Sequence, residues 1–143
     1  MSAEDRPPLR FFDAAGKVGQ TVRLMAVLPD RLQSRIVAAF LSQWSRIKGE
    51  DFPQGELREN FERIDKRLTA DPMTEEVVRA GGGLIHATVL SMSDDQARDL
   101  AESICTFEYD VSRAVERYRY DRDLRARLDE EMLNIIDATE PVN

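Results

Sequence analysis

With 143 residues, 33% of them charged and 42% apolar, the chain is long enough for one domain with a real core and short for two. Its formal net charge of −7 argues against tight nonspecific binding to nucleic acid or anionic membranes, since both reward clustered positive charge. No uninterrupted apolar run approaches a membrane span, Met1 to Arg10 lacks a signal peptide's apolar segment, and the single cysteine, Cys105, allows no internal disulfide, so the expected location is the cytoplasm.

Charge is uneven along the chain. Residues 1 to 48 carry eight Lys/Arg against four Asp/Glu, residues 49 to 92 five against nine, and residues 93 to 143 seven against fourteen. A basic beginning and an acidic end suit packing on each other or on a second copy. Residues 1–12, with Pro7-Pro8, read as a flexible N-terminal arm, 13–138 as a single helical bundle domain and 139–143 as a C-terminal tail.

Phe11-Phe12 is expected to dock on the body, with Asp13 as N-cap of a helix running to about Leu28 on the apolar line Val18, Val22 and Met25. Gly16 and Gly19 weaken that helix by roughly 1 kcal/mol each relative to alanine. Asp30, with Gln33 three residues on, predicts a capped second helix to about Lys48, whose wide face of Leu32, Ile36, Val37, Phe40, Leu41, Trp44 and Ile47 implies burial on two sides.

Phe52, Pro53 and two glycines break the chain before a third helix, about Glu56 to Leu68. Leu57, Phe61, Ile64 and Leu68 line one side of it, and the pairs Glu59–Arg63 and Glu62–Lys66 its charged side. Asp71-Pro72 opens a fourth helix bearing Val78, Gly82, Ile85, Val89 and Met92 on one stripe. Gly81-Gly82-Gly83 within it either breaks it or admits another backbone.

The most regular stretch is Ser93 to Tyr118. Ala97, Leu100, Ile104, Phe107, Val111, Ala114 and Tyr118 recur at alternating steps of three and four, and Ser93 with Gln96 has the form of a capping box. Beyond it Leu124, Leu128, Met132 and Ile135 are regular among themselves but read as out of register with Tyr118. That predicts a break near Tyr120 and a sixth helix from Asp121; the alternative is one long bent helix whose end projects into a partner. The expected fold is therefore all-α, a single-domain bundle of five or six helices around a long central helix.

Candidate chemistry is sparse. His86, the only histidine, offers a proton carrier or metal ligand, but no Glu-x-x-His or His-x-x-x-His accompanies it, so no metal site or cofactor is expected and a packing histidine is the simpler reading. Cys105 needs a base to act as a nucleophile, and beside Ile104 it reads as a buried, inert thiol. Gly16-Lys17 fails as a phosphate loop, because Val18 stands where magnesium needs Ser or Thr.

Arg31 and Arg35 on the second helix, and Arg117 and Arg119 in the Arg-Tyr run, are the candidates for nucleic-acid contact. The acid-first pairs Asp121–Arg125 and Asp123–Arg127 favour a salt-laced helix face instead. Acids near the end of the last helix, Glu130 and Glu131 among them, oppose its dipole and hint at an interaction surface. The leading expectation is a non-enzymatic interaction protein. It would associate with itself or with a basic protein surface through Leu128, Met132 and Ile135, with Glu130 and Glu131 selecting the partner. Nucleic-acid binding, or a small enzyme centred on His86, stands as the alternative.

Overall fold

The computed structural model describes residues 6–69 and 88–139, and the chain they form is an all-α bundle. The expected fourth helix from Asp71-Pro72, the triple glycine and His86 lie outside the described residues. Only the end of that segment, residues 88–90, is described; it is helical, and Val89 is fully buried.

α1 spans Phe11–Val27 and starts earlier than the sequence suggests. Asp13 is not its cap. The turn after Pro8 organises the start, with the Phe11 N–H donating to the Pro8 carbonyl at 3.0 Å, and Asp13 in the first turn pairs with Lys17 at 2.7 Å. Phe11, Ala14, Val18 and Met25 face the core, whereas Phe12 remains partly exposed.

α2 spans Leu32–Ser42, six residues short of the expected end. Trp44–Arg46 and Gly49–Asp51 are separate 3-10 turns, the second closed by Asp51 Oδ2 accepting the Lys48 N–H at 2.9 Å. Asp30 does not cap α2 with Gln33. Arg31 occupies the N-cap without a side-chain bond, and Gln33 is buried because its amide serves another helix, donating to the Met92 carbonyl (3.2 Å) and Asp94 Oδ1 (2.9 Å). Burial on two sides does follow, since α2 packs on both α1 and the long helix.

α3 spans Glu56–Leu68 and buries Phe61, Ile64 and Leu68. Among the described residues, the expected ion pairs on its outer side do not close: Arg63 bonds Asn60 Oδ1 at 3.0 Å. Arg67 instead reaches the long helix, at Asp99 (2.8 Å) and Ser103 (3.0 Å). Trp44 stacks on Phe61 and donates its indole N–H to Asp65 at 3.0 Å, and Phe52 and Phe107 complete an aromatic centre. Edge-on and offset ring contacts of this kind favour a fixed core geometry over mere burial.

α4 spans Asp94–Thr139, 46 residues, or about 69 Å at 1.5 Å per residue. The reciprocal bonds of Ser93 and Gln96, at 3.0 and 3.1 Å, form the capping box that the sequence announces. Ala97, Leu100, Ile104, Phe107, Val111 and Ala114 are all buried. The expected break near Tyr120 is absent, and one helix continues through it. Leu128, Met132 and Ile135 keep the three-four spacing, because Ala114 to Leu128 and Tyr118 to Met132 are each two heptads; Asp121 and Arg125 merely occupy two stripe positions with charge. Among the described residues, no helix is long and apolar enough to cross a membrane.

Candidate interaction surface

The bundle and the end of α4 part company at Tyr118. Its ring meets Phe11 edge-on at 5.6 Å, and among the described residues it is the last of α4 packed against the core. Beyond it no residue of α4 up to Ala138 is buried. The stretch from Arg119 to Thr139 is about 30 Å long.

That projection is amphipathic. Among the described residues, Leu128, Met132 and Ile135 are each more than half exposed. Leu133 and Ile136 are also exposed and widen the apolar surface. They were legible only as extra apolar residues off a single line. Glu130 and Glu131 lie in the same segment and are exposed.

At the root of the projection lies an open groove of about 1110 Å³. Arg6, Arg58, Arg117 and Arg125 line it, with Pro8, Pro53, Tyr118, Asp121, Leu124 and Leu128. Two of the arginines are held in place. Arg58 donates through Nε and Nη2 to the Phe52 carbonyl, at 3.1 and 2.7 Å, and the Arg117 guanidinium lies 5.8 Å from the Tyr118 ring centre. Four arginines against the aspartates Asp121 and Asp129 make this a cationic recess on an acidic protein. The sequence could not disclose it, because Arg6, Arg58 and Arg117 come from three distant segments.

The other candidate residues are placed differently. Arg31 donates to the Leu90 carbonyl at 3.2 Å and Arg35 to the Met25 carbonyl at 2.7 Å, so both arginines tie segments of the bundle together. Arg119 rests 5.9 Å from the Phe12 ring centre. Asp123 turns to Arg122, at 3.7 Å, and not to Arg127.

Cys105 is exposed and not buried, because the residue after Ile104 is turned about 100° off the packed face of the helix. It is nevertheless a poor nucleophile. Partial burial and then the carboxylates of Glu108 and Glu102 push its thiol up, which disfavours the thiolate. Among the described residues, no group of three or more His, Cys, Asp or Glu side chains is arranged to hold a metal ion.

Comparison with protein-family models, with curated proteins and with solved structures found no match to this chain.

Proposed function

We propose that the protein works by helical association, chiefly with a second copy of itself, through the projecting end of α4. The observation that carries this reading is the exposure of Leu128, Met132, Leu133 and Ile135 on a helix that continues about 30 Å past its last core contact. Most helix stability in proteins comes from packing of an amphipathic face rather than from propensity. Contiguous apolar surface on such an element is the usual mark of an interface, and pairing with another helix supplies the missing burial. Asp129, Glu130, Glu131 and Asp137 follow the stripe and would restrict the partner to surfaces that offer positive charge.

The test is solution mass by light scattering over a range of protein concentrations. A dimer that becomes a folded monomer on Leu128→Glu with Met132→Glu supports the reading. A wild-type protein that stays monomeric at hundreds of micromolar, or a variant of unchanged mass, removes it.

A further inference from the structure

We infer that the second copy binds antiparallel, with the acidic tip of its α4 lying along the arginine-lined groove at the root of the first copy's projection. This rests on the self-association proposed above and adds its direction and its seat. The projection is polarised: Arg117, Arg119, Arg122, Arg125 and Arg127 lie toward the body, where they outnumber Asp121 and Asp123, and every charged residue of α4 beyond Leu128 is an acid. Two such helices laid parallel would set like charges abreast along the whole contact. Reversed, each acidic half lies on the partner's basic half, and a twofold axis repeats the match.

Leu128 is the natural crossing point. Arg119 and Asp137 each stand nine residues from it, about 14 Å on either side, and Arg125 and Glu131 each stand three. Leu124 and Met132, four residues to either side, then meet across the axis, so apolar and charged registers agree. Asp121 opposite Ile135 and Asp123 opposite Leu133 are mismatched.

The groove supplies a reason for the tip to come that far. Leu128 belongs both to the apolar stripe and to the groove wall, and Leu124 lies on that wall one turn before it, so the surface is continuous from one to the other. Arg58 and Arg117 are already held, by the Phe52 carbonyl and the Tyr118 ring, so little side-chain freedom remains to be lost when a carboxylate arrives. Cations of this kind govern orientation and partner choice more than raw affinity.

Two experiments test it, both preceded by the wild-type mass. In the first, Glu131→Arg with Asp137→Arg makes one protein and Arg119→Glu with Arg125→Glu makes another, each reversal falling on a pair that the register brings together. Each alone is expected to lose at least tenfold in dimer affinity, and the mixture to recover a heterodimer. If each variant alone dimerises as well as the wild type, the antiparallel seat is wrong.

In the second, on a Cys105→Ser background, Leu128→Cys is expected to form an intermolecular disulfide readily and Ile135→Cys poorly. Equal cross-linking at both positions would show a parallel pair and overturn the inference, while leaving self-association intact. A monomeric wild type would instead defeat the self-association itself. A wild-type dimer that dissociates when inorganic phosphate is raised at constant ionic strength supports seating of carboxylates on the arginines. Indifference to phosphate together with tolerance of the charge reversals would overturn it.

Discussion

Phe11 and Tyr118 meet edge-to-face with ring centres 5.6 Å apart, and that contact marks where α4 leaves the bundle. Phe11 is completely buried, also touching Phe52 at 6.2 Å, so it joins the first turn of α1 to the aromatic centre and to the root of the projection. Phe11→Ala removes a large buried side chain and should cost about 3 to 5 kcal/mol of stability. Denaturant unfolding followed by far-ultraviolet circular dichroism would check it; a loss below about 1 kcal/mol would mean that the N-terminal docking contributes little.

The two glycines of α1 should be improvable. Among the described residues, a Cβ at Gly16 or Gly19 would meet nothing within 4 Å, and neither residue has the positive φ that would require glycine. Gly16→Ala and Gly19→Ala should each raise stability by about 0.5 to 1 kcal/mol through helix propensity alone. The melting temperature should climb by about 2 to 4 °C per kcal/mol in a domain of this size. Gly55 is the contrasting case: its φ of +117° at the N-cap of α3 makes Gly55→Ala strained, so a lower melting temperature is expected there.

Gln33 and Asp94 should be energetically coupled. The buried amide donates to Asp94 Oδ1 at 2.9 Å and to the Met92 carbonyl at 3.2 Å, fastening α2 to the start of α4. Gln33→Ala should cost about 1 to 3 kcal/mol, because it opens a gap and leaves the Met92 carbonyl without this donor. A double-mutant cycle with Asp94→Ala should return a coupling of about 0.5 to 1.5 kcal/mol, and strict additivity would show the bond to be incidental.

What was legible in the sequence was local. The Ser93–Gln96 capping box and the Ala97 to Tyr118 stripe need only neighbours along one helix, and both are found as read. The continuity of α4 was obscured because Asp121 and Arg125 interrupt the apolar pattern without interrupting the helix: neither residue is a breaker, and the three-four spacing resumes with Leu128. Gln33 departs from its local pattern for a related reason. Its spacing from Asp30 suits a cap, but the fold offered its amide a buried partner 61 residues away. The exposed stripe at Leu128, Met132 and Ile135 was visible as periodicity. The arginine groove was not, because no sequence interval links Arg6, Arg58 and Arg117 before the chain is folded.

Cys105 should react slowly for an exposed thiol. With its thiol pushed up by partial burial and then by Glu108 and Glu102, less thiolate is present at any given pH than for free cysteine. The rate of iodoacetamide alkylation should therefore rise through a midpoint above that of a cysteine peptide, and Glu108→Gln should move the midpoint down. A midpoint at or below the peptide's would show that the carboxylates do not govern this site.

The projection itself should be the least protected helix in the isolated chain and the most responsive to concentration. Residues beyond Tyr118 make their helical hydrogen bonds without a packed face, and opening such a segment costs little when no partner covers it. Hydrogen exchange at low protein concentration should thus be fast over residues 121–139 and slow over 97–114, although both belong to one continuous helix. Raising the concentration should slow exchange in 121–139 while leaving 97–114 unchanged. Leu128→Glu with Met132→Glu should abolish that concentration dependence. Protection of 121–139 equal to that of 97–114 at the lowest concentration would mean that the exposed stripe is already covered within a single chain, and that the projecting helix is not waiting for a second one.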